Sequence, residues 1–262
     1  MVALDDDTVF LYPTFDAYWA YFHFVDKEYE TVLSSFFQRV SHLNFGFLDC
    51  GANFGFWSAV LSSKHFGAHR TVAVEASNET IHDLRMTAEK NDNRFAVMHN
   101  AIYRESGSTV SFSEGERHAG RHIIDGKIEK LEVNRQLLFT PQAVPQEVST
   151  ITIDDLISEH FPDAPVIVKI DVEGAEIDAF EGARAAQERD VVFLYEDYGK
   201  DMKVTEYLMD HGFTLYYPKD LTPIKTFSAA LKLRMQSRKN NDYLAIKGDG
   251  QLAHQVVALH AE

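Results

Sequence analysis

The sequence predicts an α/β fold in which a largely parallel sheet is covered by helices. Short runs of β-branched and aromatic residues recur along the 262 residues, and segments of helical length separate them. Several of these runs are continuously hydrophobic, as expected of parallel strands that are buried on both faces. No internal repeat and no linker rich in proline, glycine or serine interrupts the alternation, so we expect one compact domain with an N-terminal elaboration.

Seven segments have the composition of strands, and five segments between them have the pattern of helices. The predicted strands are residues 45–50, 71–75, 95–99, 166–171, 191–196, 214–218 and 242–248. The predicted helices are residues 27–40, 54–64, 78–90, 174–187 and 204–211. Between residues 100 and 148 the alternation fails, and we expect an excursion such as a hairpin with a loop. Ligands of open α/β sheets bind at the carboxyl ends of the strands, so functional residues are expected there.

Composition and charge exclude several classes of protein. With 45% hydrophobic residues and a mean hydropathy of -0.24, the chain is too apolar to be disordered. The 40 acidic residues outnumber the 25 basic ones, and the resulting charge of -15 disfavours nucleic acids and anionic membranes as partners. Residues 219–239 are locally basic, which indicates a solvated surface or, alternatively, a rim for an acidic substrate.

The chain has no pattern of a leader peptide or of a membrane span, so a cytoplasmic protein without membrane insertion is expected. Cys50 is the single cysteine, which rules out an internal disulfide, and its position at a strand end predicts burial. The oligomeric state is not indicated by the sequence.

The turn after the first predicted strand, within FLDCGANFGFW at residues 47–57, is built for a ligand. Gly51 and Gly55 would allow a tight turn or a close approach to the backbone. The dinucleotide fingerprint does not fit, because Asn53 and Phe56 occupy two of its glycine positions, and no Gly-Lys-Ser/Thr follows to make a P-loop. The acid that heads the turn, Asp49, suits a cationic ligand without phosphates, such as S-adenosylmethionine.

The second predicted strand ends at Glu75, and 75 minus 51 places it 24 residues after Gly51. An acid near this position binds ribose hydroxyls in nucleotide-binding folds, because a carboxylate accepts hydrogen bonds from both of them. The alternative interpretation is a glycine turn that serves packing, beside a solvated Glu75.

The segment VIVKIDVEGAEIDAFEGA at residues 166–183 is the second informative stretch. A buried strand delivers Asp171, Glu173 and Glu176 to the beginning of a helix, where the helix dipole favours acids. Together with FLDCGANFG, VAVEAS, TIDDLI and KEYE, this segment closely resembles the FkbM family of S-adenosylmethionine-dependent methyltransferases. The matching order extends over roughly residues 28–246.

The resemblance implies a Rossmann-like, doubly wound sheet of seven strands whose last strand is antiparallel. The methyltransferase domain would cover residues 45–262. Residues 1–44 are predicted to be an aromatic-rich helical segment, in which the cluster of aromatic residues indicates core or docking surface or, alternatively, a lid over a ligand. The implied reaction is O-methylation of a hydroxyl group on a small molecule, a sugar or glycolipid, or a polyketide-type product. The family's cofactor site falls on Asp49, Gly51, Asn53, Gly55, Glu75, Ala76, Asn100 and Ala101. Glu30 of KEYE is expected to close over the cofactor or, alternatively, to lie on a plain helix surface.

Methyl transfer needs an aligned acceptor and removal of its proton. In the inferred sheet Asp171 and Glu173 converge with Glu196 and Asp197 beside the cofactor turn, and crowding would raise the pKa of one carboxyl toward neutrality. Asp171 is the first choice for the base, or else it holds the amino group of the cofactor. Glu173 and Glu196 are the next candidates for the base, and Asp197 is a candidate for substrate contact.

Several alternatives remain open for these acids and for nearby residues. The acids could cap helices and pair with Lys169 or Arg184, or they could bind Mg²⁺ that polarises the hydroxyl, although no ligand set requires a metal. His118 and His122 have metal-pair spacing, but the glycine between them disfavours a helix, and His122 is expected to contact the substrate from a loop. Thr152 is predicted to cap a helix that has Asp155 at its third position.

Two other classes of protein compete with the methyltransferase. A nicotinamide-dependent oxidoreductase would share the acid at Glu75, but it would need glycines in place of Asn53 and Phe56. A non-catalytic methyltransferase-fold module would use the aromatic N-terminal segment as a partner surface, although it has no need for both the cofactor turn and Glu75.

Overall fold

The computed structural model describes residues 1–14, 16–26, 29–113, 122–123, 145–199, 201–236 and 241–261. Its strands are β1 (Val2–Ala3), β2 (Val9–Phe10), β3 (Gly46–Cys50), β4 (Thr71–Glu75), β5 (Phe95–His99), β6 (Ala101–Ile102), β7 (Thr109–Ser113), β8 (His122–Ile123), β9 (Pro145–Ile151), β10 (Val166–Ile170), β11 (Val191–Glu196), β12 (Thr214–Tyr216), β13 (Pro223–Ile224) and β14 (Asp242–Ile246).

Its α-helices are α1 (Ala17–Tyr21), α2 (Thr31–Val40), α3 (Phe56–Leu61), α4 (Thr80–Lys90), α5 (Ile153–His160), α6 (Glu176–Glu181), α7 (Lys203–Asp210), α8 (Phe227–Gln236) and α9 (Gln251–Ala258). A π-helix at Phe22–Asp26 continues α1, and short 3-10 helices lie at Lys64–Phe66, Ala186–Glu188 and Leu259–Ala261. Within the described ranges, no helix combines the length and the apolar character that crossing a membrane requires.

The main sheet confirms the predicted fold class. Among the described residues it has eight strands in the order β13-β12-β14-β11-β10-β3-β4-β5. The strands from β11 to β5 are parallel to one another, whereas β14 is antiparallel to both β11 and β12. The chain order reverses between β3 and β10, as in a Rossmann-like doubly wound sheet. The short edge strand β13 is an addition that the sequence pattern did not predict.

Buried residues alternate along the strands between two layers of helices. On β10, Val166, Val168 and Ile170 pack on the side of α5, α6 and α7, whereas Ile167 packs on the side of α2, α3 and α9. Because every second side chain of a strand points to the same face, a continuous apolar run fills both layers. Cys50 is fully buried in the first layer, as predicted.

Several helices begin later than their periodicity predicts, because left-handed residues precede them. Gly55 has φ 86°, and α3 begins at the next residue. Glu173 and Gly174 have φ values of 51° and 100°, which delays α6 to Glu176. Glu30 has φ 42° and α2 begins after it. The turns before α3 and α6 are therefore longer than the pattern indicated, and their backbone is shaped before each helix starts.

The predicted excursion after β5 forms a small second sheet. Its order is β6-β9-β7-β8, in which β6 and β9 are parallel and β7 is antiparallel to both β9 and β8. The backbone of His122 lies in β8 and its side chain lies outside the described residues, as do His118 and most of residues 115–146.

The basic segment at residues 219–239 spans β13 and α8. Lys219, Lys225 and Lys232 are exposed, which agrees with a solvated surface, and residues 237–240 lie outside the described part of the chain.

Candidate functional site

A cavity lies at the carboxyl ends of β3, β4 and β10, where the chain order of the sheet reverses. From the residues predicted for the site, it brings together Asp49, Gly51, Asn53, Glu75, Ala76, Asn100, Ala101, Asp171 and Glu173. Gly55, Glu30, Glu196 and Asp197 are not among the residues that line it. Parallel strands carry these residues to one edge although they lie far apart in the chain, so a single concave site results.

The two glycines of the turn are required by close packing. Gly51 has φ 82°, and a Cβ atom placed there would lie 1.8 Å from the carbonyl oxygen of Asp171. Gly55 has φ 86°, and its Cβ would lie 2.5 Å from Cδ1 of Leu84 on α4. Any side chain would therefore push apart β3 and β10 or α3 and α4, and the shape of the cavity floor depends on both glycines.

The carboxylate of Glu75 is held in place by the backbone. Its Oε2 accepts a hydrogen bond from the amide of Asn53 at 2.8 Å, and its Oε1 accepts one from the amide of Ser77 at 2.8 Å. Since a carboxylate oxygen can accept more than one hydrogen bond, both oxygens retain capacity for donors of a ligand. Glu75 is thus an oriented acceptor in the wall of the cavity.

Three buried polar atoms of the cavity wall have no hydrogen-bond partner among the described residues. They are Oδ1 of Asp49, Oδ1 of Asn53 and Nε1 of Trp19. The other oxygen of Asp49, Oδ2, accepts a hydrogen bond from Oγ of Ser58 at 2.6 Å. Burial raises the pKa of Asp49 in spite of the nearby ammonium of Lys169. Buried polar groups are nearly always paired in folded proteins, so this wall is suited to a polar ligand.

Lys169 is a buried cation at the centre of the acidic residues. Its Nζ donates a hydrogen bond to Oδ2 of Asp171 at 2.8 Å. Burial by itself lowers the pKa of Lys169, but the carboxylates of Asp171, Asp49 and Glu30 together raise it well above its usual value. Lys169 therefore stays protonated and fixes one oxygen of Asp171, which agrees with the alternative that a site acid pairs with this lysine.

Glu30 does not line the cavity, but it is hydrogen-bonded to a residue that does. Its Oε2 accepts a hydrogen bond from Nε1 of Trp57 at 2.6 Å, and Trp57 lines the cavity. Burial raises the pKa of Glu30, and the charge of Lys169 opposes this increase. The hydrogen bond ties the segment before α2 to the helix that follows the glycine turn.

Glu196 lies at the end of β11, opposite Asp242 of β14. Burial, followed by the charges of Asp171, Asp242 and Glu30, raises the pKa of Glu196 to about 11. Burial also raises the pKa of Asp242 well above its usual value. At neutral pH, Glu196 is therefore a protonated carboxyl group and not a carboxylate.

Asp197, the next residue, makes hydrogen bonds within the fold. Its Oδ2 accepts from the amide of Thr205 at 2.9 Å and from the hydroxyl of Thr205 at 2.8 Å. These bonds hold the end of β11 against the first turn of α7.

The turn after β10 directs two glutamates differently. Glu176 folds back and accepts hydrogen bonds from the amide of Gly174 at 3.0 and 3.1 Å, whereas Glu173 lines the cavity.

At α5 the predicted cap is confirmed, because the amide of Asp155 donates to Oγ1 of Thr152 at 3.1 Å. TIDDL is accordingly a helix start outside the cavity.

The roof of the cavity is aromatic and comes partly from the N-terminal segment. Trp19 and Tyr29 line the cavity together with Phe56 of α3. The rings of Trp19 and Tyr29 lie 4.4 Å apart, and those of Trp19 and Phe56 stack at 5.6 Å. Sequence reasoning gave these residues no individual role, nor Lys169 a place in the cavity. The position of Lys169 inside the apolar run VIVKI was the signal in the sequence that could have indicated a buried lysine at the site.

Within the described part of the chain, no group of three or more His, Cys, Asp or Glu side chains is arranged to hold a metal ion. The Mg²⁺ alternative is neither supported nor contradicted by this arrangement, and it stays a prediction.

The sheet order, the antiparallel last strand and the glycine turn with an acid after the next strand define the class of Rossmann-like methyltransferases. A family model described as methyltransferase FkbM domain matches residues 49–215, which is more than half of the chain. The chain belongs to the FkbM methyltransferase family.

Solved structures of two methyltransferases are similar to the chain. Methyltransferase FkbM from Methylobacillus flagellatus KT is 17% identical with a TM-score of 0.44, and the match covers 77% of this chain and 43% of that one. Precorrin-6y C5,15-methyltransferase from Geobacter metallireducens GS-15 is 12% identical with a TM-score of 0.41, and the match covers 71% of this chain and 72% of that one. The chain thus spans less than half of the first protein. No curated protein matches it.

Proposed function

We propose that the protein is an S-adenosylmethionine-dependent O-methyltransferase that acts on a hydroxyl group of a small molecule or glycan. The proposed acceptor classes are sugars, glycolipids and polyketide-type products. The observation that carries the proposal is the cavity wall, in which the oriented carboxylate of Glu75 lies with the unpaired oxygens of Asp49 and Asn53. Family membership supports methyl transfer as the reaction class.

The donor and acceptor set of the cavity fits S-adenosylmethionine. Glu75 would accept hydrogen bonds from the two ribose hydroxyls, and Asp49 would accept from the ammonium group, which restores a partner to its Oδ1. Asn53 offers an acceptor beside them. Asn100 and Ala101, which follow β5, would border the adenine. Gly51 and Gly55 act through the shape of the turn, and Glu30 acts through Trp57.

When bound, S-adenosylmethionine supplies an electrophilic methyl group. Asp171 would take the proton of the acceptor hydroxyl as the hydroxyl oxygen attacks the methyl carbon and the bond from carbon to sulfur breaks. The hydrogen bond from Lys169 to Oδ2 of Asp171 orients this carboxylate, and we assign proton uptake to its Oδ1. Asp171 lines the cavity whereas Glu196 does not, and the raised pKa of Glu196 makes it a poorer base at neutral pH.

Glu173 is the second candidate for the base, because it also lines the cavity. For His122 and Asp197, contact with the acceptor stays a prediction. Mg²⁺ bound by the carboxylates would be an alternative way to activate the hydroxyl.

Calorimetric titration of the purified protein with S-adenosylmethionine, S-adenosylhomocysteine and NAD⁺ tests the cofactor, with and without Mg²⁺. We expect both adenosyl ligands to bind, NAD⁺ not to bind, and Mg²⁺ to leave the affinities unchanged. Binding of NAD⁺ would favour the oxidoreductase. If no ligand binds, the non-catalytic module becomes the better interpretation. An acceptor screen with S-adenosylhomocysteine formation as readout then tests methyl transfer, beginning with sugars and polyketide-like alcohols.

A further inference from the structure

Trp19 is fixed in the roof of the cavity by its backbone and its ring contacts. Its amide donates a hydrogen bond to Oδ1 of Asp16, which caps α1, at 3.0 Å. The residue is 4% exposed, and the centroid of its ring lies 4.6 Å from that of Phe10. The ring also packs against Tyr29 and Phe56. Phe56 is the first residue of α3, directly after the glycine turn. The indole is therefore held against the part of the structure that forms the predicted cofactor site.

The indole N–H of Trp19 is buried and has no acceptor among the described residues. An indole nitrogen can only donate, and buried indoles usually find an acceptor. The other tryptophan of the cavity differs in this respect, because the N–H of Trp57 donates to Glu30 at 2.6 Å. Among the described residues that line the cavity, one indole donor is therefore satisfied and the other is unpaired.

The charges around the cavity indicate which group of the ligand needs this donor. The acidic side chains that line the cavity are Asp49, Glu75, Asp171 and Glu173. These side chains suit the hydroxyls and the ammonium group of S-adenosylmethionine, but they repel its carboxylate. The carboxylate therefore requires N–H donors, and the ammonium of Lys169 already bonds to Asp171.

We propose that Trp19 binds the amino-acid end of the methyl donor by donating its indole N–H to the donor's carboxylate. Oδ1 of Asp49 accepts from the ammonium group of the same amino-acid end, so that two unpaired atoms of the wall are satisfied by the two charges of one zwitterion. This assignment rests on the proposed function, since it takes S-adenosylmethionine as the ligand. It makes the N-terminal segment part of the cofactor site and not only a cover.

Two adenosyl ligands differ in the group that Trp19 would bind. S-adenosylhomocysteine has the amino-acid end, whereas 5′-methylthioadenosine has the same adenosine and sulfur without it. Trp19→Phe keeps an aromatic ring in the roof and removes the N–H. The variant should therefore bind S-adenosylhomocysteine more weakly and bind 5′-methylthioadenosine as the parent does.

Calorimetry of both ligands with the parent protein, Trp19→Phe and Tyr12→Phe tests this selectivity. Tyr12 is a matched control, because its ring lies 6.3 Å from that of Trp19 and it does not line the cavity. For Trp19→Phe we expect S-adenosylhomocysteine to bind roughly 10- to 100-fold more weakly, the range of a hydrogen bond to a charged group. Methylthioadenosine should bind as it does to the parent, and Tyr12→Phe should change neither affinity.

Equal losses for the two ligands, or no loss for either, would overturn the assignment and leave the proposed function standing. If the parent protein itself does not bind S-adenosylhomocysteine, the proposed function falls and the assignment falls with it. The two failures are therefore distinguishable in one experiment.

A second measurement does not depend on the folding of Trp19→Phe. The chain has 2 tryptophans, so protein labelled with ¹⁵N-tryptophan gives one indole N–H signal for each, and Trp57→Phe assigns them. S-adenosylhomocysteine should shift the Trp19 signal further than methylthioadenosine does. A Trp19 signal that responds equally to both ligands, or to neither, would contradict the proposal.

Discussion

Two glutamates at the same edge of the sheet have opposite surroundings. Glu75, at the end of β4, receives two backbone N–H groups at 2.8 Å each. Glu196, at the end of β11, faces Asp242 across the strand pair, and burial together with neighbouring acids raises its pKa to about 11. One residue type is therefore an oriented hydrogen-bond acceptor in one half of the edge and a neutral acid in the other.

The two halves of this edge of the sheet are built by different means. The β3–β4 half depends on backbone shape, because turn amides and glycines set the position of each group. The β10–β11 half depends on charge, because several carboxyl groups lie near the buried ammonium of Lys169. Substitutions in the first half should affect ligand binding and folding, whereas those in the second should affect turnover and pH dependence.

The largest effect is expected for Asp171→Asn, which removes the proposed base. Turnover should fall roughly 10²- to 10⁴-fold, the usual contribution of general base catalysis, while S-adenosylmethionine binds within a few-fold of the parent. Turnover with the acceptor from the screen and calorimetry with the cofactor measure the two quantities. A fully active variant would remove Asp171 as the base, and a matching loss of binding would assign it to the cofactor.

Gly51→Ala should have the next largest effect, because it tests the dependence of the first half on backbone shape. The new Cβ would meet the carbonyl of Asp171 at 1.8 Å, so we expect a loss of about 3 kcal/mol or more in the free energy of unfolding. Gly107→Ala is the matched control, since φ is 77° there and no atom lies within 4 Å of the added Cβ. The free energy of unfolding of the control, measured by urea denaturation, should fall by only about 1 kcal/mol. Equal losses would show that close packing at Gly51 is unimportant.

Glu75→Ala removes the oriented acceptor without creating a steric conflict. Binding of S-adenosylhomocysteine should weaken roughly 10- to 100-fold, because hydrogen bonds to a charged group are lost. Glu89→Ala serves as the control, as this residue is an exposed glutamate near the end of α4. If Glu75→Ala binds like the parent in calorimetry, the assignment of Glu75 to the ribose is wrong.

Glu196→Gln is expected to change stability in a way that depends on pH. The pKa of Glu196 is raised from 4.5 when free to about 11 in the fold, so unfolding releases a proton between these pH values. This contribution to stability is fully present below pH 4.5 and is lost as the pH rises toward 11.

Since glutamine cannot ionise, the melting temperature of Glu196→Gln should rise relative to that of the parent between pH 5 and pH 8. Differential scanning calorimetry at the two pH values measures the difference, with Glu89→Gln as an exposed control that should show none. A difference that does not vary with pH would mean that Glu196 is not a buried neutral acid.

The local elements of the site could be predicted from the sequence. The apolar runs gave β4, β5 and β11 with their observed bounds, and the spacing of Gly51, Gly55 and Glu75 located the turn and the end of the next strand. These features follow from neighbours in the chain, through side-chain alternation and the conformational freedom of glycine. The late start of α6 was not predictable in the same way, because Glu173 before it is left-handed and has no intrinsic preference for that conformation.

By itself, the sequence determined the α/β class, the positions of the parallel strands along the chain and the acids that the strand ends present. Only the tertiary structure decided that Lys169 is the shared partner of those acids, that Glu196 lies outside the cavity lining, and that Trp19 lies within it with an unpaired N–H. The physical reason is the separation along the chain of the residues that determine each feature. Strand and turn formation depends on a few adjacent residues, whereas pKa values and unpaired atoms depend on groups that folding brings together from distant parts of the chain.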